Sequence, residues 1–394
     1  MTDLIDLTLT HAADPAHGSA LRRDIEGHIV AVRASAGKGN RNLVARAEAD
    51  VSRNPSAAFA YDSDGFATLG VAEGSWLAGR FETVSIGALR ERARHKRAGA
   101  TTPQVRLWVL DGASPVTDIG TLQAGSSAGA LFQVASQFNC LESPGPYVTS
   151  VASYFSDPTQ GPRASISAFP ATLLRHYRAP GPDGERFVQT SDGRQIDLLR
   201  DACGPGFSRN GYFTGDGPGD RQAVFTAFET HFEAIHVGVH DGVQVALGYN
   251  WDGAVEESDQ RRIAQVFTST VAGGAYGGAR HLGGTGFVVA CRQLLRAAYL
   301  GTLLAAATLD RTRVVLTLIG GGVFHNPIAL IWEAILWAID EVTPLLSGNL
   351  DVIVNGYRDL GGLMDLDQTV LPAVRARGGA ILSFNHTGLV AIRQ

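Results

Sequence analysis

The sequence predicts an α/β fold with a mostly parallel central sheet, and three observations lead to it. Strand-like and helix-like segments alternate from residue 234 to residue 357, the order of a parallel sheet with crossover helices. The apolar run from Val314 to Ile319 stops at Gly320, Gly321 and Gly322, directly before a helix-like segment. In open α/β sheets, ligands bind outside such strand ends. The chain has 394 residues, 45% hydrophobic and 18% charged, which suits one elaborated domain with its own core and a smaller accessory part.

Residues 1–100 read as an N-terminal accessory region containing β-structure. HIVAVRAS (28–35) and AAFAYDSDGFATLG (57–70) read as strands, the second with a hairpin signal at Asp62-Ser63-Asp64-Gly65. SIGALRERARHKRAG (85–99) reads as a helix whose basic C-terminal end suits the helix dipole. The main domain is expected at 101–362. It opens with the strand VRLWVLDG (105–112) and a second extended segment, GALFQVASQFN (129–139). ISAFPATLLRHYR (166–178) is helix-like around an internal proline, and 179–222, rich in Gly, Pro and Asp, reads as an insertion. AIHVGVHDG (234–242), IAQVFTSTVA (263–272) and RVVLTLIGGG (313–322) are strands by pattern. The Ala/Leu-rich GFVVACRQLLRAAYLGTLLAAATLD (286–310) suits a long buried helix. ALIWEAILWAIDEV (329–342) is an amphipathic helix and LDVIVNGY (350–357) a further strand. Residues 363–394 are expected to form a C-terminal hairpin, turning at Asn385-His386-Thr387-Gly388 and pairing with the N-terminal region.

The formal charge of −5 and the pI of about 6.1 argue against nucleic-acid or membrane partners held by bulk charge. Of 33 basic residues only Lys38 and Lys96 are lysines, the composition of a GC-rich bacterial genome. Cys140, Cys203 and Cys291 are odd in number and lack metal-type spacing, so a cytoplasmic protein without a disulfide framework or a metal site is expected. His231, His236 and His240 fall in or beside a strand and do not suggest a metal cluster. The N-terminus lacks the basic and apolar parts of a signal peptide. The longest apolar stretches fall short of a membrane span or are broken by charge.

Three clusters carry the functional signal. The Gly320-Gly321-Gly322 loop offers bare N–H groups before a helix N-terminus, an anion site of the kind that takes a phosphate or diphosphate. It is neither GxxxxGK[ST] nor GxGxxG, and a tight strand-to-helix turn without ligand is the alternative. Gln133, Gln137 and Asn139 share one face if 131–139 is extended; otherwise such amides cap turns. The third is YFSDPTQGPRAS (154–165), where Asp157-Pro158 favours a turn and Thr159, Gln160 and Gly161 offer a hydroxyl, an amide and bare backbone. A plain surface turn is the other reading.

QVASQFNCLE, DPTQGP and LIGGGVFHNP, followed by LDVIVNGY, together resemble a divergent branch of the macrodomain family, over roughly residues 105–360. The resemblance implies a three-layer macrodomain-like fold that binds ADP-ribose, free or carried on a small molecule or a protein, with no further cofactor. It implies that Gly320, Gly321, Gly322, Val323, Phe324 and Asn326 form the loop that wraps the diphosphate, and that Asn139 meets the distal ribose. Tyr357 is similar in position to an aromatic that stacks on adenine. The chain departs from the pattern in three places. CLESPGPYVTS replaces a glycine-rich run after the asparagine, the paired glutamates of the poly(ADP-ribose) glycohydrolase branch are absent, and His325 replaces a small residue.

Cleavage at the anomeric carbon of ADP-ribose needs a leaving-group proton, a positioned water and stabilisation of an oxocarbenium-like centre. Asp157 and Glu142 are the candidate carboxylates. Asp157 is preferred because Thr159, Gln160 and Gly161 stand beside it, whereas Glu142 adjoins the proline turn 143–146. His325 either donates a proton or is only a charge partner of phosphate. Three readings follow: a hydrolase of an ADP-ribosyl or related NAD-derived bond, a non-catalytic ADP-ribose-binding module, or a biosynthetic enzyme acting on a small ADP-ribose conjugate.

Overall fold

A computed structural model describes residues 7–8, 11, 18–34, 40–97, 103–125, 129–213, 221–251, 255, 262–273, 284–357 and 360–394. The strands are β1 (Phe59–Tyr61), β2 (Ala67–Val71), β3 (Gly74–Ser85), β4 (Val105–Asp111), β5 (Ala130–Ala135), β6 (His236–Gln244), β7 (Arg262–Thr268), β8 (Arg313–Thr317), β9 (Leu350–Gly356), β10 (Ile381–Asn385) and β11 (Gly388–Arg393). They form one sheet in the order β1-β2-β3-β6-β7-β5-β8-β9-β4-β10-β11. From β7 to β10 every neighbouring pair is parallel. The pairs flanking that centre are antiparallel. The mostly parallel α/β centre expected from the alternating pattern is therefore present.

The principal helices are α1 (Gly18–Ala34), α2 (Asn40–Arg53), α3 (Ile86–Lys96), α4 (Ile119–Gly125), α5 (Gln160–Ser167), α6 (Phe169–Tyr177), α7 (Arg221–Thr230), α8 (Gly284–Thr308) and α9 (Ile328–Val342). Side-chain alternation along the sheet separates them into two layers. Gln133 of β5 donates to Ala298 O and Thr302 Oγ1 of α8. Gln265 of β7, whose neighbour Val266 is in register with Gln133, points the opposite way and donates to Ala164 O of α5. The sheet is thus sandwiched, with α8, α3 and α9 on one face and α5, α6 and α4 on the other. Helix α8 is long and apolar enough by composition to cross a membrane, with mean hydropathy 1.3 over Thr285–Thr308. Here it is a core helix: Leu294, Leu295, Ala298, Leu303 and Leu304 are all at most 1% exposed, and a helix hydrophobic on every side belongs in such a place.

Several local expectations hold and others do not. The 57–70 hairpin turns where expected, with Asp62 Oδ1 accepting from Asp64 N and Phe66 N and Gly65 at φ +80°. The segment 28–34 is helical, not extended. Leu21, Ile25, Ile29 and Val32 are buried at helical spacing, and that longer register overrides the short apolar alternation within 28–35; residue 35 lies outside the described residues. The C-terminal hairpin forms, but β10 pairs in parallel with β4. The N-terminal strands lie at the far edge of the sheet. The N-terminal region meets the hairpin through α1 instead, where Arg22 and Arg33 donate to Val390 O and His386 O.

The segment 129–139 is only partly a strand. β5 ends at Ala135, and the chain turns back: Gln137 N donates to Leu141 O and Cys140 N to Gln137 O, both at 2.9 Å, with Cys140 left-handed at φ +61°. The three amides therefore do not share a face. Gln133 points into the core, while Gln137 and Asn139 belong to the turn.

β5 and β8 pair only from Arg313↔Ala130 to Val315↔Phe132. Beyond that the two strands part, and Gln133 Oε1 accepts from Thr317 N at 3.2 Å across the gap. The chain leaving β5 reaches α5 on one face, and the chain leaving β8 reaches α9 on the other. Adjacent parallel strands whose connections diverge in this way open a crevice at their carboxyl ends.

Candidate active site

A cleft of about 510 Å³ occupies that crevice, within the range of small-ligand sites. Its floor is the ends of three strands: Ala135 of β5, Thr317 of β8, and Asn355 and Gly356 of β9. Three loops rise around the floor, and they are the three segments marked in the sequence. Gln137 and Glu142 come from the first, Asp157, Thr159, Gln160 and Gly161 from the second, and Gly320, Gly321, Gly322, Val323, Phe324 and His325 from the third. Tyr357 lines the cleft from the end of β9. Among the candidate residues, Gln133, Asn139 and Asn326 stand outside the lining. Asn139 is fully buried, its amide donating to Gln195 Oε1 and its Oδ1 accepting from Leu141 N.

The glycine loop divides its work among its residues. Gly320 has φ +73°, and a Cβ there would stand 2.5 Å from Thr270 Cγ2 and 2.9 Å from Asn326 Cγ, so backbone conformation and packing both demand glycine. Gly322 is exposed, and a Cβ there would meet nothing within 4 Å. Asn326 braces the loop from beneath. Its amide donates to Val271 O at 2.8 Å, its Oδ1 accepts from Thr270 Oγ1 and Cys291 Sγ, and its own N–H donates to Gly320 O. His325 is exposed and left-handed at φ +53°.

Opposite the loop, DPTQGP is a helix start. Asp157 Oδ1 accepts from Thr159 N at 2.9 Å, Thr159 holds the N-cap position of α5 without a side-chain capping bond, and Gln160 and Gly161 begin its first turn. The turn read from Asp157-Pro158 is thus the cap of a helix. Gly161 packs so tightly that a Cβ would fall inside contact distance of Ala135 O and 2.7 Å from Glu142 Oε2. Arg163, one turn on, forms an ion pair with the buried Asp118 and donates to Pro158 O, which fixes the helix start over the cleft.

Glu142 lies at the inner end. Its N–H donates to Tyr154 Oη at 3.1 Å, and its Oε1 is buried without a hydrogen-bond partner among the described residues. Burial pushes its carboxyl well above the usual carboxylate range. The Arg175 guanidinium opposes that shift, and Asp157 adds to it. Arg175 is itself fully buried, donating to Cys140 O and Thr172 Oγ1 and lying 3.5 Å from the centroid of Phe267. Burial lowers its pKa to about 10. Its Nη1 meets His240 Nδ1, while His240 Nε2 meets Ala78 O at 2.7 Å. Burial, followed by the charge of Arg175, holds that imidazole well below its usual pKa. Neutral His240 therefore accepts at Nδ1 and donates at Nε2.

Lining side chains hold further buried polar atoms with no hydrogen-bond partner among the described residues: Gln137 Oε1, Gln160 Nε2, Thr317 Oγ1 and Asn355 Oδ1. Such atoms are uncommon in folded proteins, and here they surround one space. The mouth is apolar, with Val323 and Leu363 at 42% and 52% exposure. Sequence reading missed Ser136, Ser143, Tyr212, Thr317, Asn355 and Leu363 in the lining. Thr317 and Asn355 had a signal, a polar residue at the end of an apolar strand. Tyr212 had none. It comes from the 179–222 insertion and holds its place by accepting from Gln137 Nε2 at 2.7 Å and donating to Gly145 O at 3.1 Å.

Fold and site together define an α/β protein with a nucleotide-sized cleft at the switch point of its sheet. No protein-family model matches the chain, and no curated protein matches it. Among solved structures it is similar to poly(ADP-ribose) glycohydrolase from Thermomonospora curvata, at 14% identity over 86% of this chain and 97% of that one, with a TM-score of 0.44. It is also similar to poly(ADP-ribose) glycohydrolase from Deinococcus radiodurans in complex with ADP-ribose, at 14% identity over 73% of this chain and 95% of that one, with a TM-score of 0.39.

Proposed function

We propose that the protein is a hydrolase of an ADP-ribosyl glycosidic bond, with Glu142 as the general acid. The observation that carries this reading is a buried carboxyl, raised in proton affinity, with one oxygen unpartnered among the described residues, at the inner end of a cleft whose outer wall is a bare glycine loop. A carboxylic acid that keeps its proton near neutral pH can give it to a departing group. The exposed backbone at Gly322 and Val323 suits a diphosphate, and the apolar mouth at Val323, Tyr357 and Leu363 suits a base.

In this reading the bond from the anomeric carbon to the leaving group breaks as Glu142 transfers its proton to that group. Water adds to the oxocarbenium-like centre, and its proton passes to Asp157 or back to Glu142. Asp157, less buried and anchored by Thr159 N, stabilises the positive charge that develops. Asn326 acts on the loop from beneath.

Calorimetric titration with ADP-ribose, AMP and NAD tests the site, and release of ADP-ribose from protein-linked and small conjugates tests the chemistry. Tight binding of ADP-ribose without release from either conjugate would leave a binding module and end the hydrolase reading.

A further inference from the structure

We propose that helix α2 of the N-terminal region is a working part of this site, with Glu48 as the positioning residue through which it acts on Glu142; the proposal rests on the reading of the site given above. Glu48 is 5% exposed. Its Oε1 accepts from Val151 N at 2.6 Å and from Tyr177 Oη at 3.0 Å, and its Oε2 accepts from Ala152 N at 2.8 Å. A carboxylate holding three donors in a buried place fixes them firmly.

Two of those donors open the short helix Val151–Ser156. Two turns earlier on α2, Arg41 donates to Phe155 O at 2.9 Å and lies over the Phe155 ring. One helix therefore grips this segment at both ends. The segment carries Tyr154, whose hydroxyl accepts from Glu142 N, and it runs directly into Asp157. The third donor, Tyr177, belongs to α6, the helix that carries Arg175. Thus a single side chain ties together two walls of the chamber around Glu142. The charged groups acting on that carboxyl are Arg175 from α6 and Asp157 from the segment that Tyr154 anchors; the Tyr154 hydroxyl and the Cys140 thiol face it as well. Releasing the walls admits water, and hydration favours the ionised form.

The test uses the full chain with Glu48→Gln, Glu48→Ala and Arg41→Met, and Arg46→Ala as a control on the same helix. Arg46 pairs with Glu73 and points to solvent. Protonation of Glu142 is read by infrared difference titration, each spectrum taken against the same variant carrying Glu142→Gln. The pH profile of turnover on an ADP-ribosylated substrate is read beside it. In the Glu48 and Arg41 variants the Glu142 midpoint and the basic limb of the profile are expected to fall by about one pH unit, a fraction of the shift that full burial produces. In Arg46→Ala neither moves. An unmoved midpoint in folded Glu48→Gln and Arg41→Met proteins overturns the proposal, as does a slower rate at an unmoved midpoint, which marks a structural role alone. If the wild-type protein shows no turnover, the hydrolase reading fails, and the infrared titration still decides the role of Glu48.

Discussion

Replacing the three loop glycines one at a time by alanine separates conformational demand from ligand approach. At position 320 the new methyl group meets Thr270 Cγ2 at 2.5 Å and Asn326 Cγ at 2.9 Å, on a backbone at φ +73°. The left-handed conformation costs an ordinary residue about 1–2 kcal/mol, and forcing a group into a packed site costs about 1–3 kcal/mol. Gly320→Ala is therefore expected to destabilise the protein by roughly 2–5 kcal/mol. At position 321 the nearest atoms are Ile331 Cδ1 at 3.1 Å and Leu318 O at 3.2 Å, with no positive φ. A small adjustment accommodates the methyl, and the cost is expected to stay below about 1.5 kcal/mol. At position 322 the space is open, so Gly322→Ala is expected to be neutral for folding to within about 0.5 kcal/mol. Any affinity that Gly322→Ala loses then reflects the ligand alone. Urea denaturation gives the stabilities and calorimetry with ADP-ribose gives the affinities. A Gly320→Ala protein as stable as wild type would refute the packing argument. A Gly322→Ala protein that binds ADP-ribose unchanged would refute the assignment of that backbone to the ligand.

Further predictions concern the carboxylates and the loop brace. Glu142→Gln keeps the shape of the side chain and is expected to lower turnover by about 10²–10⁴-fold with little change in ADP-ribose affinity, whereas Asp157→Asn removes charge stabilisation and some turnover with it. Loss of turnover confined to the Asp157 variant would assign the acid to Asp157. Folding raises the proton affinity of Glu142, so its contribution is greatest at low pH, where both states hold the proton. Stability then falls as pH climbs from the unfolded carboxyl range, near 4.3, through the folded pKa, by up to about 1.4 kcal/mol per pH unit. Denaturation of wild type and Glu142→Gln across that window is expected to show the variant gaining relative stability with pH; a constant difference contradicts the burial argument. Asn326→Ala leaves Val271 O and Thr270 Oγ1 without their partner and is expected to cost about 1–3 kcal/mol, read by denaturation, together with weaker ADP-ribose binding as the loop loses its support.

The parallel centre was legible because its strands are apolar runs punctuated by turn residues, as at Val314 to Ile319 before Gly320. The cleft was legible because such strands end where ligands bind. What escaped notice depends on partners far apart in the chain. Helix α1 was misread at 28–35 because its apolar spacing extends back to Leu21, outside the window that alternated. Asn139 has the residue type and place of a ligand contact in the macrodomain-like pattern, yet Gln195 from the insertion takes its amide, and nothing in either local stretch announces that bond. The preference for Asp157 over Glu142 rested on near neighbours in the chain. Burial beside Arg175 and Tyr154 is a property of the folded interior that no spacing encodes.

The separation of β5 from β8 has a consequence for how this site can vary. In a continuous ladder the distance between strands is fixed by backbone hydrogen bonds. Here the amide of Gln133 spans the gap to Thr317 N and is held from behind by Ala298 O and Thr302 Oγ1 of α8. The gauge of the crevice is thus set by the length of one side chain. A substitution at residue 133, well below the cleft, is able to change how far the glycine loop stands from Glu142 while leaving every residue that lines the cleft the same in type.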